Sequence, residues 1–375
     1  MATLRNFREL LQPLTYYSKK IGVEVWTAPG KFLPASYYLS AMVATYFIST
    51  ASTVAKYRHD PLHMMKVLVT LGTVLQGSDV KLLNEKIELE VLERYENGTK
   101  EEMAVLERTG RYLWIIFRMT RISSACAAGG FMLYPLFAYF TTGIVVPLLL
   151  YELPFIDCNT TTGYIVNMLF QINLLVYGVM GIIFADFLYI MYATYAMTAA
   201  DIFMVHLVEL EILLNDPMQH DTTRSEVREL WLKCMYDHQL TTSLLNIIED
   251  IFGLQCLAQV AMGVFTICDC LLLVTLTDWY PTYCFFLVMF TELTVYFIVG
   301  HIVELKIDEM YHKVISMPWY KLPVKEQKEF CFLMARQQRP MMLTAYGFHP
   351  MNFEAYMSVL RGLYQFFVMI LQYVG

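Results

Sequence analysis

The sequence predicts an all-α membrane protein with seven transmembrane helices. Of its 375 residues, 57% are hydrophobic and only 16% are charged, and the mean hydropathy is +0.45. A soluble protein carries about 25% charged residues. The chain also contains a series of apolar windows, each long enough to cross the roughly 30 Å hydrocarbon core of a bilayer. Composition and window length together predict the fold class.

Seven apolar windows give the predicted spans. They fall at about 33–56, 62–83, 112–142, 164–193, 243–276, 283–304 and 348–372. Several exceed the length of a perpendicular crossing, which indicates tilt or helices that continue beyond the membrane. The chain is accordingly divided into an N-terminal cytoplasmic segment at 1–32, six helices at 33–304, a cytoplasmic anchor segment at 305–347 and a last helix at 348–375.

Lys and Arg residues concentrate in alternate connections. Five lie in the N-terminal tail, five at 84–111, three at 194–242 and seven at 305–340, whereas the opposite connections hold Arg58 alone. Positive residues mark the cytoplasmic side of a membrane protein. The N-terminus is therefore predicted to be cytoplasmic and the C-terminus extracellular, which is the reverse of the topology of a G-protein-coupled receptor.

The sequence lacks the patterns of common catalytic sites. It has no Gly-rich phosphate loop, no HExxH and no Gly-x-Ser-x-Gly motif. The eight histidines are dispersed apart from His59 and His63, which stand four residues apart on either side of Pro61, and each is expected at a surface or an interface. We therefore predict neither an enzyme nor a metal or cofactor site. The net charge of −7 and the lack of a basic, aromatic patch argue against nucleic acid as a partner.

A few charged residues fall inside the predicted spans, where each needs a partner or a wet cavity. Arg118 and Arg121 lie near the inner end of the third span, and Asp186 in the fourth is expected to pair with them. Glu292 in the sixth span could either line a water-filled vestibule or pair with Lys66. Structural ion pairing is favoured over an ion pathway for Arg118, Arg121 and Asp186, whereas both possibilities stay open for Glu292.

The third span combines small residues with aromatic and Met side chains. Ala127, Gly129 and Gly130 are followed within a turn by Tyr134. Small residues allow helices to approach closely or leave room for a guest, and Tyr offers one polar group in an apolar wall. This pattern indicates either a ligand pocket or ordinary helix packing.

Several short runs near the C-terminus resemble the C-terminal signature of the insect odorant receptors. The runs are WYKLP at 319–323, RPMMLTA at 339–345, Phe348 and SVLR at 358–361. The family usually has Gly where Tyr346 stands. The resemblance implies a ligand-gated, non-selective cation channel that assembles, as a tetramer, with the odorant co-receptor and responds to small volatile odorants. It further implies that the protein is located in the dendritic plasma membrane of olfactory neurons, in contact with membrane lipids.

The resemblance also implies roles for individual residues. The piece at 323–338 would build the cytoplasmic anchor, and the last helix would line the pore, with Met369 at a hydrophobic gate, Gln372 in a polar ring outside it and Phe366 bracing it. The odorant pocket would lie in the outer halves of the second, third, fourth and sixth spans. By position its residues are Val69, Gly72, Thr73, Ala127, Gly130, Tyr134, Met168, Ile172, Leu175, Phe286, Met289 and Phe290.

Two alternatives remain open at this point. Insect gustatory receptors resemble the odorant receptors in fold but carry a Thr-Tyr-x5-Gln-Phe pattern, of which Tyr364-Gln365-Phe366 keeps only a part. A carrier of apolar solutes belongs to a different class. Such carriers often contain inverted repeats with broken helices, and the sequence has no visible internal repeat.

The predicted topology can be tested by glycosylation. Asn159, in an Asn-Thr-Thr sequence of the 143–163 connection, lies on the predicted outer side, whereas Asn97 in Asn-Gly-Thr lies on the cytoplasmic side. Acceptors of this type are modified only in the secretory lumen. We expect the glycosidase-sensitive shift on a gel to be lost in Asn159→Gln and kept in Asn97→Gln. The opposite pattern would reverse the topology.

Overall fold

The computed structural model is built from α-helices. It describes residues 2–21, 34–56, 79–95, 98–143, 148, 153, 156, 160–215, 223–276, 280–339 and 341–374. Within these ranges the only β-type pairing is an isolated bridge between Thr344 and Pro350. The prediction of an all-α fold with several long apolar helices is confirmed.

Nine α-helices are described, and we number them in chain order. They are α1 Ala2–Ile21, α2 Pro34–Lys56, α3 Asp79–Lys86, α4 Lys100–Thr142, α5 Thr161–Asn215, α6 Thr223–Leu276, α7 Pro281–Ser316, α8 Val324–Gln337 and α9 Phe353–Val374. A π-helical turn, Ile87–Glu93, continues α3, and a short 3-10 helix, Trp319–Lys321, precedes α8.

Among the described residues, four helices are long and apolar enough to cross a membrane by length and composition, namely α4, α5, α6 and α7. Helices α2 and α9, with 23 and 22 residues, coincide with the first and last predicted windows. Most of the second window lies outside the described residues.

The four long helices continue well past the membrane. Helices α5 and α6 have 55 and 54 residues, whereas about 20 suffice for a crossing. The apolar windows underestimated them because the extensions alternate buried apolar residues with exposed charged ones, which lowers the mean hydropathy without interrupting the helix. The expected boundary at 304 likewise falls inside α7, which continues to Ser316.

Helix α1 belongs to the same body as these extensions. Phe7, Leu10 and Leu14 are fully buried, and their spacing of three and four residues places them on one side of the helix. The ring of Phe7 contacts Tyr195 of α5 edge-on, with centroids 5.2 Å apart. The N-terminal segment therefore contributes to the main core.

The first turn of α4 is closed by a capping box. The Glu102 N–H donates to Thr99 Oγ1 at 3.3 Å, and the Thr99 N–H donates to Glu102 Oε2 at 2.7 Å. These two bonds satisfy backbone donors that a helix start leaves free. They also hold the Glu102 carboxylate with its second oxygen, Oε1, directed towards α5.

Glu102 Oε1 meets a histidine that is completely buried. His206 of α5 has 0% exposure, with Nε2 2.5 Å from Glu102 Oε1 and Nδ1 2.5 Å from Asp237 Oδ2 of α6. Lys233 Nζ also donates to Glu102 Oε1, at 2.5 Å, and the Tyr95 hydroxyl donates to Asp237. We call these five side chains the His206 network. The expectation that every histidine lies at a surface or interface is wrong for His206.

The geometry requires His206 to be an imidazolium, because both ring nitrogens face carboxylate oxygens. Burial alone lowers the pKa of His206, but hydrogen bonds to Asp237 and Glu102 outweigh it and raise that pKa. Burial raises the pKa of Glu102, yet the bonds from Lys233 and His206 lower it overall. Two cations thus balance two carboxylates, which makes burial of the charges tolerable.

Asp186 and Glu292 have partners other than the expected ones. The Tyr296 hydroxyl donates to Asp186 at 2.7 Å, and Gln259 Nε2 donates to Glu292 at 3.0 Å. Arg118 and Arg121 are on the exposed side of α4, which turns them away from the helix that carries Asp186. Lys66 lies outside the described residues. A neutral hydroxyl therefore takes the place of the arginine partners predicted for Asp186, while a neutral amide bonds to Glu292.

We predict that His206→Gln destabilises the protein by about 3–5 kcal/mol, because one buried carboxylate loses its charged donor. A raised histidine pKa contributes stability that is complete below the unfolded value of about 6.5 and is lost as pH rises through the folded value. The difference in thermal unfolding between wild type and variant in detergent should therefore be largest below about pH 6.5 and shrink as the pH rises through the folded pKa of His206.

The matched control is His312→Gln, since His312 is exposed on α7. It should unfold like the wild type at every pH. A His206→Gln protein as stable as wild type at low pH would contradict the charged network.

Candidate functional site

A second group of buried side chains surrounds the part of α4 that is far from the His206 network. It is centred on Phe131 of α4, with Tyr46 of α2 and Leu148 also buried. Further apolar residues pack against these three, and we call the whole group the Phe131 cluster. The packing residues are Met168, Phe170, Ile172, Leu174, Leu175 and Phe285. Helices α2, α4, α5 and α7 therefore converge at one place.

Aromatic contacts define the geometry of this region. The rings of Phe131 and Phe285 lie 4.4 Å apart at 52°, and those of Phe286 and Phe290 stack at 5.8 Å. Phe285 also packs against Cys270 and Leu273 of α6, as does Phe286. The Phe131 cluster and the Phe286–Phe290 stack therefore adjoin through consecutive residues of α7.

The structure brings part of the predicted pocket together. Met168, Ile172 and Leu175 all pack in the Phe131 cluster. Phe286, Met289 and Phe290 are half-buried against the main core. The first three residues belong to the Phe131 cluster and the other three to the region of the Phe286–Phe290 stack, and these two regions adjoin through α7.

The predicted pocket residues of α4 lie beside the cluster. Ala127 and Tyr134 are half-buried, while Gly130 is exposed, and a Cβ built there meets no atom within 4 Å. Val69, Gly72 and Thr73 lie outside the described residues.

Positional reasoning did not find Tyr46, Phe131, Leu148 or Phe285. A signal for Phe131 was available in the helical period, because the buried residues of α4 here are Phe131, Pro135 and Ala138, spaced by four and three. Gly130 and Tyr134, which were predicted for the pocket, each directly precede a residue of this buried face and lie at its edge. Leu148 stands in a connection without a periodic pattern, so the sequence offered no comparable signal.

The walls of this region are mostly apolar, with a few polar groups. Asn173 Nδ2 donates to the Tyr38 hydroxyl at 2.5 Å, and Asn167 Oδ1 accepts from the Leu153 N–H at 3.3 Å. The Leu148 N–H lies 3.4 Å from Met168 Sδ. Aromatic and Met side chains around a small number of polar groups suit an uncharged organic guest.

Helix α9 has two unlike sides. Ala355, Leu363 and Ile370 are buried against the rest of the chain, while the opposite side is exposed. That exposed side contains a line of polar residues, which we call the polar stripe: Ser358, Arg361, Gln365 and Gln372. No hydrogen bond to these four side chains is recorded from the described part of the chain.

The predicted gate residues lie beside the stripe. Met369 borders it with 46% exposure, and Phe366 is half-buried. Because the stripe recurs at helical spacing along the full length of α9, its residues point in one direction.

The segment before α9 is clamped between α6 and α7. Glu249 accepts from the Thr344 N–H at 2.8 Å and from the Thr344 hydroxyl. Tyr346, where the resemblance leads one to expect Gly, has φ of 54° in the left-handed region, which side chains other than Gly adopt at a cost. A Cβ at Gly300 of α7 would collide with the Met351 carbonyl oxygen, so glycine is required for this close approach.

Helix α7 also contacts α9 directly. The hydroxyls of Thr294 and Tyr356 lie 2.7 Å apart, and Asn352 Nδ2 donates to Glu304 at 3.3 Å. The ring of Phe297 is 5.3 Å from that of Tyr356. The helix that carries the Phe286–Phe290 stack is therefore joined to α9 over several turns.

Comparisons with solved structures match this architecture. Two structures of the insect olfactory receptor OR5 from Machilis hrabei, one of them in complex with eugenol, align over 98% of this chain and 99% of theirs. Their TM-scores are 0.73 for the eugenol complex and 0.74 for the other, at 12% sequence identity. The likeness establishes a shared fold, and the insect receptor structures have seven transmembrane helices.

A curated relative is similar in sequence over part of its length. Putative odorant receptor 83c of Drosophila melanogaster is 24% identical over 255 residues. The match covers 64% of this chain and 62% of that protein. This chain therefore aligns with less than two thirds of that relative.

The 7tm Odorant receptor family matches residues 62–364, which is most of the chain. The matched region includes helices α3 to α8, the Phe131 cluster apart from Tyr46, and the first half of α9. The prediction of a multi-pass membrane receptor, as opposed to an enzyme, agrees with the known nature of this family. The chain belongs to the 7tm odorant receptor family of insects.

Proposed function

We propose that this chain is the odorant-binding subunit of a ligand-gated, non-selective cation channel, which works with odorant co-receptor subunits in a tetramer. Its place would be the dendritic plasma membrane of olfactory neurons, with the N-terminus cytoplasmic and the C-terminus extracellular. The ligand would be a small uncharged volatile. The eugenol bound to the Machilis receptor is a molecule of this class.

The observation that carries the channel proposal is the polar stripe of α9. An Arg, two Gln and a Ser in an otherwise apolar helix are unfavourable against lipid. They become favourable where they face water, as in a pore formed by several copies of the helix around an axis. Met369 beside the stripe would then form an apolar ring that closes by dewetting, with Gln372 in a polar ring beyond it and Phe366 behind it.

The proposed odorant pocket lies at the Phe131 cluster and the adjoining Phe286–Phe290 stack. Apolar walls bind a guest by burying its surface, at about 25 cal/mol per Å². Such binding discriminates by shape more than by polar contacts, which favours broad tuning and modest affinity. An odorant that fits the open state better shifts the population of channels towards that state.

Helix α7 provides a physical route from pocket to gate. It carries Phe286 and Phe290 at one end and the Thr294–Tyr356 contact with α9 about one turn further on. Side chains packed at this density move together with the helix that carries them. A guest that displaces this part of α7 would therefore change the position of α9 without a separate linker.

The experiment that tests the function is whole-cell current under a panel of volatile odorants, recorded with and without an insect odorant co-receptor. We expect a non-selective cation current, evoked by odorant, only in the co-expressing cells. Current from this chain alone would instead favour a gustatory-type channel. Odorant uptake without a current that reverses at the mixed cation potential would indicate a carrier.

Two substitutions separate the pocket from the gate. We expect Tyr134→Ala to raise the half-maximal odorant concentration about fivefold, because about 1 kcal/mol of aromatic contact with the odorant is lost. Met369→Ala should raise the current without odorant, because a narrower apolar side chain weakens the dewetted barrier, and it should leave the rank order of odorants unchanged.

Matched controls exist on the same helices. Tyr139→Ala changes an exposed Tyr of α4, and Met357→Ala changes an exposed Met that lies beside the polar stripe about three turns before Met369, outside the proposed gate. Both should respond like the wild type. If Met369→Ala and Tyr134→Ala altered only odorant preference, the gate assignment would be wrong.

A further inference from the structure

Helix α4 carries four exposed arginines near its cytoplasmic end: Arg108, Arg111, Arg118 and Arg121. Within the described ranges no ion pair or hydrogen bond is recorded for any of them, although the Arg121 guanidinium lies over the Phe117 ring at 5.5 Å. The exposed acidic residue among them is Glu107. The surface therefore retains a net positive charge that the described chain does not neutralise.

The depth of these arginines follows from the sequence beyond them. Residues 122–142 of α4 contain no charged residue. This stretch is about 20 residues long and rises about 1.5 Å per residue, so it matches the roughly 30 Å hydrocarbon core. Arg121 consequently lies at the boundary of the core, and Arg118 about 4.5 Å further into the headgroup layer.

Exposed apolar side chains alternate with the arginines. Trp114 is 39% exposed, Ile115 59%, Met119 63% and Ile122 51%, while the opposite side of the helix packs inward through residues such as Leu113. A helix face that mixes arginine with Trp and aliphatic residues suits the boundary between headgroups and acyl chains. The aliphatic stems of arginine can lie along that apolar surface while their guanidinium groups reach the phosphates.

We propose that this face of α4, centred on Arg118 and Arg121, binds the phosphorylated headgroup of an anionic phospholipid from the cytoplasmic leaflet. Guanidinium groups bind phosphate oxygens in a bidentate manner, and anionic lipids are concentrated in that leaflet. The acyl chains would rest on Ile122 and, at the boundary of the core, on Met119. The inference uses the proposed orientation but not the proposed channel activity.

The alternating apolar residues favour a lipid over a soluble ligand. A free inositol phosphate or an acidic protein segment would satisfy the arginines, yet it would leave Met119 and Ile122 in water. A phospholipid covers both kinds of group at the depth where α4 holds them. Arg111, about 15 Å below Arg121 along the helix, would contact only a headgroup that extends from the membrane surface, such as a phosphorylated inositol.

The test is native mass spectrometry of the full-length protein in neutral detergent, titrated with phosphatidylinositol 4,5-bisphosphate or with phosphatidylcholine. We compare wild type, Arg118→Gln/Arg121→Gln, Arg118→Lys/Arg121→Lys and, as a matched loss of two exposed charges on α8, Lys325→Gln/Lys328→Gln. Each arginine near the surface contributes about fivefold in affinity, so the double Gln variant should bind the anionic lipid about 25-fold more weakly.

The Lys pair should stay within about threefold of wild type, the α8 control should bind normally, and phosphatidylcholine should not discriminate among the proteins. Inositol 1,4,5-trisphosphate at equal concentration should not displace the lipid. Unchanged lipid binding in the double Gln variant overturns the proposal. The proposal would also be overturned if the α8 control lost as much lipid binding as the double Gln variant, or if the soluble phosphate displaced the lipid. It would likewise fail if the double Gln variant lost oligomer assembly but still bound the lipid.

Discussion

The end of the helix bundle that contains the His206 network depends on a set of buried charges that balance one another. His206 joins the start of α4 to α6 through Glu102 and Asp237, and Lys233 and Tyr95 complete the set. Because isolated charges are not tolerated in a packed interior, each member constrains the position of the others. The helices that carry them are thereby held in one register at the ends where these side chains lie, and the capping box of α4 is part of the same arrangement.

At the opposite ends of these helices, the described residues form no comparable network of buried charges. They meet through aromatic and aliphatic contacts at the Phe131 cluster, which are individually weak and less directional. A fold that is rigid at one end and bound by apolar contacts at the other can admit a guest at the second end without losing its overall arrangement. Helix α7 contacts α9 and the residues before it through the Thr294–Tyr356 hydrogen bond and the close approach of Met351 to Gly300. These contacts connect the region of the Phe131 cluster to the helix that carries the polar stripe.

Polar residues within the membrane zone follow two different rules in this chain. Those of α9 recur along the whole helix and so require water on one side, which a lone helix in lipid cannot provide. Those of α4 are confined to one end, where long arginine side chains can reach the headgroup layer. In our proposals, the same residue types therefore face an oligomer axis in one helix and a lipid boundary in the other.

The sequence by itself determined the fold class and the family signature. Six of its seven apolar windows coincide with described helices. These features are predictable because hydropathy and local motifs are properties of contiguous residues. It also placed Met168, Ile172 and Leu175 in one predicted group, and these three residues pack in the Phe131 cluster. Only the tertiary structure decided the partners of His206, Asp186 and Glu249, since these contacts join residues far apart in the chain. The one-residue difference between Gly130 and Phe131 was decided in the same way: helix rotation is set by packing against neighbours, and the local sequence leaves it open.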